Sequence, residues 1–252
     1  MLRTIITGQP SEKPTLLIAH GLFGSARNWG VISKRLGDTR QVVAVDMRNH
    51  GESDWFASHS YADMADDLAE VITGIGAPVD VLGHSMGGKS AMVLATKHSD
   101  KVNRLIVADI APVAYTHTQI HLANAMLGLD PGAVHSRSEA DLILSETIPE
   151  PSVRAFLLQS LDIKGHRWKL NLDVLSKAMP QILGFPTLDG QFTGPTLFLS
   201  GGNSDYVKLQ HRPEIKRLFP TARFAKIPGA GHWIHAEKPR EFEAAVRIFL
   251  DA

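Results

Sequence analysis

The chain has 252 residues, 44% of them hydrophobic and 21% charged, with Lys+Arg and Asp+Glu balanced at 26 each. That composition supports a large core and argues against disorder, and it gives no charge-based reason to expect nucleic acid or an anionic membrane as partner. The absence of cysteine excludes disulfides, a thiol nucleophile and zinc–thiolate sites.

In chain order, a weak first strand is expected at Leu2–Thr7, then strands at Thr15–Ala19, Gln41–Val45, Val79–Leu82, Arg104–Ala108, Thr196–Leu199 and Arg223–Ile227. Several are unbroken apolar runs, as in parallel strands covered on both faces. Helices are expected between them at Ser25–Leu36, Tyr61–Ile75, Met86–His98, Val207–Phe219 and Pro239–Leu250. Ser60 with Asp63 forms a capping box ahead of a Met64, Leu68, Val71, Ile72 stripe. From about Ala111 to Gln191 the alternation stops, and helical pieces punctuated by prolines replace it. The expected organisation is a core of 1–110 and 192–252 interrupted by an all-helical lid of 111–191. Met1–Pro10 has no secretory apolar run and no stretch is long enough to span a bilayer, so a cytoplasmic protein is expected.

The segment Val79 to Gly88 runs from an apolar strand through Gly83-His84-Ser85-Met86-Gly87 into a helix. In such a turn a serine is exposed on strained backbone, and small residues on either side let strand and helix approach. The following helix start favours negative charge beside it. Ser85 is therefore a candidate nucleophile. The same residues also satisfy the phosphate-binding pattern G-x-x-x-x-G-K-[ST] through Lys89-Ser90, with Asp109 as a possible magnesium partner.

Two further segments favour the nucleophile. His20-Gly21-Leu22-Phe23-Gly24 follows a strand and can aim the N–H of Leu22, together with that of Met86, at a developing oxyanion. Gly229-Ala230-Gly231-His232-Trp233 follows the last strand and places a histidine after the serine, in the order a serine hydrolase of this architecture needs. A phosphate-binding protein needs neither.

These motifs, with Asp46-Met47-Arg48-Asn49-His50-Gly51-Glu52-Ser53, resemble the α/β-hydrolase superfamily, in order and across nearly the whole chain. His20 to Ser25, Ala108-Asp109-Ile110-Ala111-Pro112 and Gly201 to Val207 are similar to the small bacterial YbfF-type esterases. The resemblance implies an α/β-hydrolase fold, a mostly parallel sheet flanked by helices. It also implies hydrolysis of carboxylic ester or thioester bonds of small acyl substrates, without a cofactor.

The acid that orients His232 is ambiguous. In most of the superfamily it stands nine residues after a proline like Pro195, and Ser204 occupies that place here. Asp205 comes one residue late. Asp109, at the end of the preceding strand, is favoured, with Asp205 or an assisting Ser204 as alternatives. Phe23, Trp233, Leu122 and Met126 are candidate acyl-pocket residues. His84 is expected to pack beside the site. His117 and His121 have metal-compatible spacing but no third ligand in view. A lyase or C–C hydrolase on the same triad, a non-catalytic receptor and a nucleotide binder remain the alternatives; the oligomeric state is open.

Overall fold

The computed structural model describes residues 2–76 and 78–252; Met1, the first residue of the expected core, and Ala77 lie outside them. Strands form at Thr4–Thr7 (β1), Leu16–Ala19 (β2), Val42–Val45 (β3), Val79–His84 (β4), Val102–Ala108 (β5), Leu161–Asp162 (β6), Arg167–Trp168 (β7), Thr196–Gly201 (β8) and Arg223–Ile227 (β9). All but β6 and β7 join one sheet in the order β1-β3-β2-β4-β5-β8-β9. Within that sheet β1 pairs antiparallel with β3 and the other described pairings are parallel.

The parallel strands β2, β3, β4 and β8 are buried on both faces because successive side chains feed opposite layers. Leu16, Ile18, Val42 and Ala44 join Trp29, Ile32, Phe242 and Val246 on one side. Leu17, Ala19, Val43 and Val45 join Met64, Leu68, Met92 and Leu94 on the other. The helices concerned are Gly30–Leu36 (α1), Tyr61–Ile75 (α2) and Met86–Lys97 (α3), with Pro239–Leu250 (the last helix) beside α1. The capping box of α2 forms as the sequence indicates, with the Asp63 N–H donating to Ser60 Oγ at 3.1 Å. The chain is thus an α/β hydrolase fold.

Between β5 and β8 lie helices α4 (Ile120–Gly128), α5 (Arg137–Ser145), α6 (Pro151–Leu157), α7 (Leu172–Lys177) and α8 (Met179–Leu183). After β8 follow α9 (Arg212–Leu218), α10 (Ile234–Glu237) and the last helix, α11. Leu122, Ala123, Leu144, Leu157, Leu175 and Ile182 of the intervening segment belong to the same apolar cluster as α2 and α3.

Three sequence expectations need correction. The segment 111–191 is not all helical: β6 and β7 pair antiparallel as a two-residue hairpin. Its tight turn is set by a local bond, Gly165 N–H to Asp162 Oδ1 at 3.0 Å, too short-ranged for hydrophobic periodicity to reveal. The expected helix Ser25–Leu36 begins instead as a 3₁₀ turn, Ala26–Trp29, before α1. The expected helix Val207–Phe219 is confined to α9 after a separate 3₁₀ turn, with Pro213 in its first turn, where a missing N–H costs nothing.

Candidate active site

The turn from β4 into α3 carries Ser85 at φ 53°, ψ −120°, a conformation that non-glycine residues hold only when their surroundings enforce it. The enforcement is steric. A Cβ on Gly83 would lie 2.2 Å from the Gly87 carbonyl oxygen, and one on Gly87 would lie 2.4 Å from the Ala19 carbonyl oxygen. Strand, turn and helix can approach this closely only with glycine at both places. The Ser85 N–H continues the sheet ladder by donating to Ala108 O at 3.1 Å.

One strand over, β5 runs into Asp109, whose N–H donates to Leu199 O at 2.9 Å. Asp109 also has a positive φ, 52°, and is fully buried. Its carboxylate is well supplied with donors: the Gly201 N–H at 2.9 Å on Oδ1, and on Oδ2 the Ser204 hydroxyl and His232 Nδ1, the latter at 2.8 Å. A buried carboxylate needs such partners. Because Asp109 only accepts, it selects the His232 tautomer with the proton on Nδ1. That leaves Nε2 as the acceptor for the Ser85 hydroxyl, 3.0 Å away.

The structure therefore brings Ser85, His232 and Asp109 into one line of hydrogen bonds. It does not bring Asp205 there. That side chain is 93% exposed and faces Lys208, 3.5 Å away. Ser204, at the superfamily's usual acid position, instead donates to Asp109.

The turn carrying Leu22 and Phe23 is braced by two buried histidines. His20 Nδ1 donates to Gly21 O at 2.8 Å while its Nε2 accepts the Met47 N–H at 2.9 Å. His50 Nδ1 donates to Arg48 O at 2.8 Å while its Nε2 accepts the Phe23 N–H at 3.2 Å. Both arrangements require neutral rings. Burial pulls His20 down to about 4 and His50 to about 3, so both are neutral at pH 7. Among the described residues the Leu22 N–H has no acceptor, and the Met86 N–H, at the first position of α3, has none its own helix could provide. His84 packs beside the site, donating from Nε2 to the His232 carbonyl at 2.9 Å, and burial holds its pKa well below the ordinary value.

Ser85 and His232 open into a cavity of about 160 Å³ lined by Leu22, Phe23, Met86, Leu122, Phe156 and Trp233 among others. Met126 does not reach it and is fully buried in the core. His117 lies at the cavity rim against the Tyr115 and Tyr206 rings, whereas His121 is exposed. Among the described residues no three His, Asp or Glu side chains converge as a metal site requires.

Lys89 was legible only as part of a phosphate-binding pattern. It is 1% exposed, and its ammonium donates to the carbonyls of Leu183 at 2.9 Å and Gly184 at 2.6 Å, with Ile182 O at 3.4 Å. The Tyr61 and Tyr115 rings flank it at 5.7 and 4.8 Å. These are the C-terminal carbonyls of α8, where a cation is favoured. Burial lowers the lysine pKa to about 7. Its donors are spent on tying α8 to α3. No sequence pattern signals that pairing, because the partners are backbone atoms nearly a hundred residues away.

The profile of the alpha/beta hydrolase family matches residues 16–245. The chain belongs to the alpha/beta hydrolase family. Among relatives of this hydrolase is a mouse protein named sn-1-specific diacylglycerol lipase ABHD11, 43% identical over 94% of this chain and 81% of its own length. Esterase YbfF of Escherichia coli K12 is 38% identical over 96% of this chain and 95% of its own. A solved structure titled Marine microorganism esterase superposes with a TM-score of 0.93 at 39% identity, covering 98% of both chains. The protein is thus a hydrolytic enzyme similar to esterases and lipases. No helix among the described residues is long and apolar enough to cross a membrane.

Proposed function

We propose that this hydrolase cleaves carboxylic ester or thioester bonds of small acyl substrates through a Ser85–His232–Asp109 triad and an acyl-enzyme. The observation that carries the proposal is the unbroken chain from Asp109 Oδ2 to His232 Nδ1 at 2.8 Å and from His232 Nε2 to Ser85 Oγ at 3.0 Å. It ends on a serine at a strained turn beside a cavity. The relatives named esterase and lipase support the same bond class.

In the first half-reaction His232 Nε2 takes the Ser85 hydroxyl proton as Oγ attacks the substrate carbonyl. The N–H groups of Leu22 and Met86 hold the resulting oxyanion. The tetrahedral intermediate collapses, and the leaving alkoxide or thiolate takes the proton from His232. Water, deprotonated by His232, then attacks the acyl-serine and returns free acid and enzyme. Asp109 stabilises the imidazolium in both halves without itself taking the proton. Phe23 and Trp233 wall the cavity on the substrate side, and the segment 111–191 acts as its lid.

The test is intact-mass analysis of wild-type and Ser85→Ala protein after treatment with a fluorophosphonate. One adduct on wild type and none on the variant is the expected result. Folded wild-type protein that takes up no adduct would overturn the proposal.

A further inference from the structure

The side of His232 away from Ser85 and Asp109 is occupied by an aromatic ring that the proposed mechanism does not use. The Tyr206 ring lies 3.9 Å from the imidazole, centroid to centroid, at an interplanar angle of 18°. The two rings are therefore stacked face to face rather than meeting at an edge. We infer that Tyr206 is a positioning residue for the general base, its ring face holding the His232 plane and stabilising the imidazolium formed as Ser85 attacks. The inference rests on His232 acting as the proposed base.

The physical case begins with charge. An aromatic face carries excess negative potential, and a cation within about 6 Å of its centroid is attracted to it, more strongly where water is excluded. A neutral imidazole gains little from this. The imidazolium gains more, so the interaction strengthens on the way to the tetrahedral intermediate, which is the condition for lowering a barrier.

The backbone that carries the ring is held by groups other than His232. The Tyr206 carbonyl accepts the Tyr115 hydroxyl at 2.7 Å, and the Tyr206 N–H donates to Ser204 Oγ at 3.3 Å. The same Ser204 hydroxyl donates to Asp109. Ser204 thereby couples the backbone that carries the stacking ring to the carboxylate that orients the imidazole. The His117 ring meets Tyr206 edge-on, at 4.8 Å and 88°, and Tyr115 packs at 5.2 Å. Turning the Tyr206 ring away would break its contacts with the Tyr115 and His117 rings.

The other titratable groups facing His232 are few. Asp109 from the end of β5 favours its charged form. His84, whose ring centroid lies 4.7 Å from that of His232, and His235, 4.8 Å beyond it from His84, are neutral, burial holding His84 well below the ordinary value and pulling His235 down to about 3. His117 is also lowered by burial and by the like charge His232 acquires. Lys208 and the exposed Asp205 stand in the open pocket beyond Tyr206, paired with one another. Glu237 accepts the Gly231 and Trp233 N–H groups on either side of His232, at 2.7 and 3.2 Å. Asp109 and the Tyr206 face are the groups in direct contact with the imidazole that favour its charged form.

The experiment compares Tyr206→Phe and Tyr206→Leu with wild type in kcat and in kcat/KM against pH on a simple aryl ester. Phenylalanine keeps the ring face and is expected to behave like tyrosine. Leucine removes it: kcat is expected to fall on the order of tenfold, and the acid limb of kcat/KM to move about half a unit to one unit toward lower pH. A ring that merely fills space would lower kcat without moving the acid limb, so an unmoved limb in a folded Leu variant overturns the inference. Should the Leu variant fail to fold, phenylalanines of increasing fluorination at position 206 keep the shape while draining the ring face. The acid limb should then fall stepwise, and a flat series overturns the inference. Fluorophosphonate labelling of the wild type separates the two readings: no labelling sinks the triad itself, whereas labelling with an unmoved limb sinks only the role of Tyr206.

Discussion

The sheet edge and the segment between β5 and β8 contribute to one cavity but are held by different forces. The edge is built on β4, β5 and β8, whose ladders run on into the site: Ser85 N–H to Ala108 O and Asp109 N–H to Leu199 O extend the strand pairing by one residue each. Its atoms are placed by backbone hydrogen bonds and by glycines that leave no room for adjustment. The intervening segment shares an apolar layer with α2 and α3 and adds a set of individual polar ties. Lys89 and the Tyr61 hydroxyl hold the end of α8, the latter at 2.6 Å from Ile182 O. Ser160 Oγ donates to Phe23 O at 3.2 Å, and Asn171 N–H to Asn49 O at 2.9 Å. The proposed reacting groups thus sit where backbone pairing places them, while the cavity wall facing them is held by apolar packing and individual polar ties.

The difference can be attacked at its strongest point first. Asp109→Asn should lower turnover by about 10⁴-fold with little loss of fold, because the amide no longer selects the His232 tautomer that accepts from Ser85; steady-state kinetics beside a thermal melt will check both halves. Gly83→Ala should cost about 3 kcal/mol or prevent folding, since its Cβ would lie 2.2 Å from a carbonyl oxygen of the turn, and a urea titration reads that loss directly.

Acid should weaken the rigid region. His20, His50, His59 and His235 have pKa values pulled by burial to about 4, 3, 3 and 3. Between these values and the ordinary 6.5, the unfolded chain binds more protons than the folded one. Stability is therefore expected to fall as pH drops from about 6.5 toward 4, with the turn that carries Leu22 and Phe23 losing its neutral acceptors. Urea midpoints at pH 7, 6 and 5 should decline in that order; a flat series would contradict it.

Lys89 makes the opposite region sensitive at alkaline pH. Its folded pKa of about 7 lies below the roughly 10.4 of a free lysine, so the unfolded chain holds the extra proton in between and raising pH from 7 toward 10 should stabilise the fold. Lys89→Met is expected to abolish that rise in urea midpoint and to hasten proteolysis of the 111–191 segment, while total stability at pH 7 changes little because a buried charge is removed along with its bonds. The smallest effect belongs to Asp205→Asn. With its side chain 93% exposed, it should alter turnover by less than about twofold and stability by less than about 0.5 kcal/mol, measured alongside Asp109→Asn.

The amino-acid sequence by itself determined the sheet strands, the turn at Ser85, the capping box at Ser60 and the order of motifs, because each depends on residues within a few positions of one another. Unbroken apolar runs are buried on both faces, and the turn at Ser85 was legible once the His20–Gly24 and Gly229–Trp233 segments were read beside it. What the tertiary structure decided were questions of approach between distant segments. Asp109 and Asp205 both follow an apolar strand, Asp109 directly and Asp205 in the loop beyond it, and only the tertiary structure turns one toward His232 and leaves the other in solvent. The stack of Tyr206 on His232, the neutral tautomers of His20 and His50, and the carbonyls that hold Lys89 likewise depend on backbone atoms and ring planes brought together from far along the chain. Local pattern carries no information on those distances, and at such distances a hydrogen bond or a ring contact is either made or absent.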